Sequence, residues 1–134
     1  MTRRALLGGA ALMALSRAVL AQAPKPSTPI FTRDLPDIDL RGWSVTAVEV
    51  SYGPGERSAP HRHPGITIAY VLEGEVGSKI DDGPEQTYGP GQMFLETPNQ
   101  LHAVSRNAST TKPAKLLAIL LADKTKPRTV PEKG

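Results

Sequence analysis

The most informative part of the sequence is GERSAPHRHPGITIAYVLEG, residues 55–74. Within it, residues 66–72 are β-branched and apolar, which is typical of a buried strand. His61 and His63 stand two positions apart just before this run, in a segment that also has the character of a strand. Because residues i and i+2 of a strand point to the same face of the sheet, the two imidazoles are predicted to project together.

The chain around this segment consists of short apolar runs separated by turn residues. Residues 43–52 alternate, with a slip in phase at Ala47 and Val48 that predicts a β-bulge. Gly- and Pro-containing turns separate the later runs. Those further predicted strands cover residues 75–80, 92–96, 101–105 and 114–121, the last of them buried. Without any long helical period, this spacing predicts an all-β sandwich or barrel in a single domain.

A third histidine, His102, comes from a distant part of the chain, and a closed sheet would bring it to the same centre. The sequence contains no cysteine, so a metal would bind only to nitrogen and oxygen. One interpretation of this spacing is a single divalent ion (Fe, Zn, Mn, Cu or Ni) on His61, His63 and His102. The alternative is a solvated pair, His61 and His63, with His102 an unrelated polar residue.

The spacing around the first two histidines resembles the first motif of the cupin superfamily, G-x5-H-x-H-x3-E-x6-G. Four residues fall in register: Gly55, His61, His63 and Gly74. The resemblance extends over residues 43–121 and implies a double-stranded β-helix, that is, a jelly-roll barrel, of the small single-domain type. It also implies that His61, His63 and His102 are the metal ligands.

The second cupin motif, G-x5-P-x-G-x2-H-x3-N, is matched more loosely. Gly91 and His102 are in register. Asn99 stands where a glycine is usual, and asparagine is the next best residue for a left-handed turn.

Thr67 departs from the first motif, because it stands where cupins usually have a glutamate ligand. A threonine hydroxyl is a poor donor to a divalent ion, so the resemblance implies a site of three histidines. Without the carboxylate, the site is more positive by one unit, which favours an anionic ligand. A substitute oxygen donor from Glu49, Glu96 or Gln92 is an alternative.

Cupins include enzymes, binding proteins and structural proteins, so three functions remain open. The first is a metal-dependent dioxygenase, isomerase or hydrolase that acts on a small polar or anionic molecule. The second is a periplasmic binder of a small molecule or metal without turnover, and the third is a dimeric structural or accessory protein with a stabilising metal. An enzyme requires a proton-transfer group, for which Tyr52, Glu49 and Glu96 are candidates. Arg57 and Arg62 flank the ligands and are expected to be surface charges.

The first residues have the character of an export signal. Arg3 and Arg4 precede an apolar stretch from Ala5 to Leu15, and residues 2–7 resemble a twin-arginine signal. Cleavage is expected after Ala21, or alternatively after residue 23. The protein is therefore expected to be periplasmic or secreted; an ordinary secretory signal, or one that stays uncleaved, is the alternative.

Loss of the signal changes the charge of the chain. The full sequence has 16 Lys and Arg against 13 Asp and Glu, and removing Arg3, Arg4 and Arg17 leaves 13 against 13. A neutral domain has no electrostatic reason to bind nucleic acid. We expect a small-molecule partner instead, and no membrane association after cleavage.

The chain therefore divides into an export signal (1–21), a proline-rich leader (22–41), the cupin barrel (42–122) and a polar tail (123–134) that we expect to be flexible. An unpaired sheet edge is a liability for a small β-domain, so we also expect a homodimer. The leader, with Phe31 and Leu35, is a candidate to cover that edge.

Overall fold

The computed structural model describes residues 22–134, so the predicted export signal lies outside the described residues. These residues form ten strands and no helix. In chain order the strands are β1 (Trp43–Tyr52), β2 (Arg57–Ser58), β3 (His61–Arg62), β4 (Ile66–Glu73), β5 (Val76–Ile80), β6 (Gln86–Tyr88), β7 (Met93–Glu96), β8 (Leu101–Asn107), β9 (Ala114–Asp123) and β10 (Val130–Pro131). Nothing in residues 22–134 is helical, long and apolar enough to cross a membrane.

The strands form two antiparallel sheets. One sheet has four strands in the order β1-β9-β4-β7, and the other has the order β10-β3-β8-β5-β6, with β2 also paired to β8. Neighbours that are distant in sequence, such as β1 and β9, lie side by side, as in a jelly roll. The prediction of an all-β, jelly-roll barrel is confirmed.

β9 lies inside the first sheet, where it pairs with β1 on one side and β4 on the other. Its side chains alternate strictly between buried and half-buried along the whole strand. The buried set faces the core and consists of Ala114, Leu116, Ala118, Leu120 and Ala122. The prediction that this apolar run is a buried strand is confirmed.

β1 corrects the predicted β-bulge. It pairs with β9 without a break in register from Trp43 to Tyr52, so no residue is inserted near Ala47 or Val48. The slip in the apolar pattern has another cause: Val45 lies on the outer face and is 68% exposed. Because Val45 is apolar but faces outward, the apolar pattern of β1 changes phase although the strand has no extra residue.

Two turns depend on a left-handed backbone. Asn99, in the place of the usual glycine, has a φ of 64° as predicted, and its N–H donates to the carbonyl of His63. Gly74 has a φ of 69°, and a Cβ there would lie 2.3 Å from the carbonyl oxygen of Pro113. The first turn closes the loop between β7 and β8 onto the histidine segment, and the second connects β4 to β5, close to the backbone before β9.

The leader and the tail differ in their contact with the barrel. In the leader, Ile30 and Leu35 are 75% and 52% exposed, and the covering of a sheet edge by the leader stays a prediction. The polar tail, by contrast, is docked: Val130 and Pro131 form β10 and pair with β3. The tail is held by backbone pairing and by an ion pair between Glu132 and Arg62 at 2.8 Å, which its polar composition did not indicate.

Candidate metal centre

β3 and β8 bring two histidines side by side. His61 pairs directly with His102, and their ring centroids lie 5.0 Å apart. His63 follows two positions after His61, and its ring centroid is also 5.0 Å from that of His61. One ring nitrogen from each residue lies within 4.8 Å of the others. The three imidazoles therefore converge on one point, as expected from their spacing.

Two of the rings are oriented by backbone carbonyls. The Nδ1 of His61 lies 2.7 Å from the carbonyl oxygen of Ala59, and the Nδ1 of His63 lies 2.8 Å from that of Arg128. A carbonyl oxygen only accepts, so each Nδ1 carries the proton and donates. The Nε2 of each ring is left with its lone pair free, which is the arrangement that orients histidine for a metal.

His102 is oriented by a side chain. Its Nε2 lies 2.9 Å from the hydroxyl of Ser78, and the residue is only 4% exposed. The ring also packs edge-on against Phe94, with centroids 5.8 Å apart. The hydrogen bond with Ser78 uses Nε2, and Nδ1 lies 3.2 Å from Oε1 of Glu96. Ser78 carries no signal of this role in the sequence, because the contact depends on the pairing of β5 with β8.

The half-buried ring of His61 is biased toward its neutral form. Burial lowers its pKa below the ordinary value of 6.5, and the neighbouring rings of His102 and His63 act in the same direction, against the opposing effect of its hydrogen bond to Ala59. Neutral imidazole is the form that donates a lone pair to a metal.

A carboxylate completes the cluster. Glu96 is 2% exposed; its Oε1 lies 3.2 Å from Nδ1 of His102, and its Oε2 lies 3.9 Å from Nε2 of His63. Glu96 is the direct cross-strand partner of Thr67, the residue in the place of the usual glutamate. Both Oε1 of Glu96 and Oγ1 of Thr67 are buried without a hydrogen-bond partner among the described residues.

The other two candidate oxygen donors lie elsewhere. Glu49 is on the outer face of β1, where it forms an ion pair with Lys115 at 3.1 Å. Gln92 is exposed in a turn and accepts a hydrogen bond from the backbone N–H of Gly89. Of the three residues, only Glu96 points into the cluster.

The remaining candidates have structural partners. The hydroxyl of Tyr52 lies in the cavity wall, 2.7 Å from the hydroxyl of Ser58 and 2.9 Å from that of Ser105. Arg62 pairs with Glu132 on the opposite face of β3 from the imidazoles. Arg57 is exposed, so both arginines are surface charges, as expected.

The histidines lie at one end of a cavity of about 370 Å³ between the inner faces of the two sheets. The rest of its wall is mainly apolar. These wall residues are Val48, Val50, Ala69, Phe94, Leu116, Ala118 and Leu120. The cavity thus has a polar end that can bind an ion and an apolar body that can bury part of a small molecule.

The donor set fits a divalent ion. Each imidazole has one nitrogen held by a hydrogen bond, one nitrogen of each ring lies within 4.8 Å of the others, and Oε1 of Glu96 has no hydrogen-bond partner within residues 22–134. A buried carboxylate is costly unless a cation or hydrogen-bond donors compensate it. Nitrogen and oxygen donors of this kind suit zinc, iron, manganese, copper and nickel.

The chain matches the family model described as Cupin domain over residues 48–120. It is similar in structure to the DMSP lyase DddQ from Ruegeria pomeroyi DSS-3, with 24% identity, a TM-score of 0.58 and coverage of 66% of this chain and 43% of that chain. It is also similar to an oxalate oxidase, with 22% identity, a TM-score of 0.56 and coverage of 65% of this chain and 45% of that chain.

A third similar structure is a cupin-like protein from Thermotoga maritima MSB8, with 20% identity, a TM-score of 0.59 and coverage of 67% of this chain and 65% of that chain. The chain spans less than half the length of the lyase and the oxidase. No curated protein sequence matches it significantly. Likeness at this level of identity describes the fold, and the family model covers more than half of the chain. This chain belongs to the cupin family.

Proposed function

We propose that this cupin is an exported protein that binds or transforms a small molecule at one divalent metal ion held by His61, His63 and His102. The proposal is carried by the convergence of three imidazoles, each anchored through one nitrogen, at the polar end of a cavity. When bound there, a divalent ion would supply a Lewis acid that polarises an oxygen and lowers the pKa of bound water.

The cavity supports a ligand with two chemical ends. The polar end suits an anionic oxygen group, such as a carboxylate or an enolate, as the sequence led us to expect. The walls suit an apolar body, because burying apolar surface stabilises binding by roughly 25 cal/mol per Å². The similar structures named as an oxalate oxidase and a DMSP lyase support a small organic molecule as the ligand class.

A binding protein without turnover is the second candidate. Two observations favour it. The hydroxyl of Tyr52 is hydrogen-bonded to the hydroxyls of Ser58 and Ser105, and the cavity wall beyond the metal centre is mainly apolar. An enzyme needs a free acid or base near the ion, and within the described cavity the carboxyl of Glu96 lies against the histidines themselves. A structural role for the metal in a dimer is the third candidate.

Elemental analysis of the purified mature protein tests the metal. We expect about one divalent ion per chain in the wild type and none in a variant with both His61→Ala and His102→Ala. Absence of metal from both proteins would remove the proposed function. Oxygen-uptake and hydrolysis screens with small carboxylates, keto acids and phenols on the loaded protein then distinguish an enzyme from a binder.

Export is tested independently of the metal. We propose that the signal is cleaved after Ala21, so N-terminal sequencing of periplasmic protein is expected to begin at Gln22. A variant with Arg3→Lys and Arg4→Lys is expected to accumulate in the cytoplasm if the twin-arginine route is used. Normal export of that variant would favour the ordinary secretory route.

A homodimer is proposed from the edge of the first sheet. β1 has a partner on one side only within the described chain, and Val45 on its outer face is 68% exposed. Light scattering at micromolar concentration is expected to give the mass of two chains, and Val45→Glu is expected to lower it. A monomeric wild type would contradict the proposal.

A further inference from the structure

We propose that Glu96 is a fourth protein ligand of the metal centre, so that the site is formed by three imidazoles and one carboxylate. The inference rests on the proposed function, because it requires that the histidines hold an ion. It goes beyond that function by naming the oxygen donor and the charge of the loaded site.

The first argument is the isolation of a buried charge. Glu96 is 2% exposed, and among residues 22–134 its only ion-pairing neighbours within 4.0 Å are His63 and His102. Its Oε1 accepts no hydrogen bond from the part of the chain that the structure describes. A buried carboxylate that accepts no hydrogen bond is costly, since it has lost its hydration without a donor to replace it. A cation between it and the imidazoles would remove that cost.

The distances between the carboxylate oxygens of Glu96 and the histidine nitrogens are those of ligands that share one ion. Two donors that each lie about 2.1 Å from one ion are about 3.0 Å apart at a right angle and about 4.2 Å apart on opposite sides. The carboxylate oxygens of Glu96 lie 3.2 Å from Nδ1 of His102 and 3.9 Å from Nε2 of His63. Both distances fall within the interval expected for ligands of a common ion.

The orientation of the His102 ring relative to Glu96 also supports a shared ion. A contact of 3.2 Å between Nδ1 of His102 and Oε1 of Glu96 is within hydrogen-bonding range, yet it lacks hydrogen-bond geometry. The nitrogen therefore points past the oxygen rather than at it. Nδ1 of His102 and Oε1 of Glu96 are close but do not point at each other, which is the arrangement of two ligands that point at a common ion.

The fourth argument is the position of Glu96 in the sheet. It pairs directly with Thr67 across β4 and β7, and directly paired residues place their side chains on one face. The carboxylate that Thr67 lacks is thus supplied to the same side of the cavity by the neighbouring strand. A carboxylate ligand lowers the net charge of the loaded centre by one unit, which weakens its attraction for anions relative to three histidines alone.

The test measures metal affinity and ligand-field spectra, not activity. In Glu96→Gln, which keeps the shape of the side chain, the affinity for Zn²⁺ is expected to fall by roughly tenfold or more. The visible spectrum of the Co²⁺-substituted protein is expected to change as well. Glu49→Gln removes a carboxylate outside the cavity, and both readouts are expected to match the wild type.

Exchanging the residues at positions 96 and 67 tests whether the carboxylate can reach the ion from either of the paired strands. Glu96→Thr is expected to lose affinity in the same way, and the double variant Thr67→Glu, Glu96→Thr is expected to recover it, because the carboxylate returns to the cavity from the opposite strand. A loosely packed variant that fails to fold is recognised by circular dichroism. For that case, a crystal structure of the wild-type zinc protein gives the answer directly.

The outcomes separate this inference from the proposed function. A Glu96 oxygen within about 2.2 Å of zinc, or the paired loss and recovery of affinity, supports the inference. Wild-type protein that binds zinc, with Glu96→Gln unchanged in affinity and spectrum or with Glu96 beyond about 3 Å of the ion, overturns the inference and leaves the proposed function standing. Wild-type protein that binds no divalent metal overturns both.

Discussion

The Nδ1 of His63 donates its proton to the backbone carbonyl of Arg128, 2.8 Å away. This hydrogen bond joins the candidate metal centre to the C-terminal tail, far along the chain. The tail is kept in place nearby by the pairing of β10 with β3 and by the N–H of Glu132, which donates to the carbonyl of Pro60. The orientation of His63 therefore depends on the last residues of the sequence.

Deletion of residues 125–134 is expected to weaken Zn²⁺ binding by about tenfold, because a ligand histidine loses the partner that orients it. Competition with a chromophoric chelator measures the change. Deletion of residues 133–134 alone leaves β10 intact and is the matched control. An unchanged affinity in the longer deletion, with the barrel folded by circular dichroism, would show that the tail does not orient the ligand.

Metal binding is expected to stabilise the protein. If only the folded state binds, free metal at 100 times the dissociation constant stabilises it by about 2.7 kcal/mol, and the melting temperature rises by roughly 10 °C or more. Differential scanning calorimetry of chelator-treated protein with and without Zn²⁺ measures this shift. The His61→Ala, His102→Ala variant is expected to show none; an equal shift in that variant would mean that the metal binds elsewhere.

The docking of the tail is expected to depend on pH. The hydrogen bond from Arg62 holds the pKa of Glu132 below its ordinary value of 4.5. The docked state therefore gains stability from this pair above that ordinary pKa, and the gain is lost as the pH falls through the lowered one. In carbon-13 NMR titrations, the Glu132 carboxyl of the wild type is expected to titrate below that of Arg62→Gln; equal midpoints would contradict the pairing.

The apolar wall is expected to select among anions. Benzoate should bind to the Co²⁺-loaded protein more tightly than acetate, by about 2 kcal/mol if its ring buries roughly 80 Å² more apolar surface. Titration of the cobalt absorption bands measures both affinities. Ala118→Leu adds bulk to this wall and is expected to reduce the preference while metal affinity stays unchanged. Equal affinities for the two anions in the wild type would rule out an apolar binding pocket.

Local sequence pattern was sufficient for the barrel and for the histidine cluster. The short apolar run at residues 114–121 predicts a buried strand, and the two-residue spacing of His61 and His63 predicts a shared face once that segment is extended. Local pattern does not identify Glu96 in the same way. Its place beside Thr67 follows from the pairing of β4 with β7, which involves two separate segments of the sequence. Sequence alone could therefore name it only together with Glu49 and Gln92.

The errors have a similar cause. The tail contains Pro127 and Pro131 and few apolar residues, so local composition indicates an unstructured end. Its docking uses backbone groups and the pair between Glu132 and Arg62, which are visible only once the strands are assembled. On β1, the outward-facing Val45 disturbed a pattern that assumes apolar residues point inward.

The direct pairing of His61 with His102 also bears on when the ion is acquired. These ligands belong to distant segments, so an unfolded chain offers no preformed chelate, and metal selection coincides with completion of folding. A chain exported through the twin-arginine route crosses the membrane already folded. Under that proposal the metals available in the cytoplasm determine which ion is bound, and the protein is exported with that ion already in place.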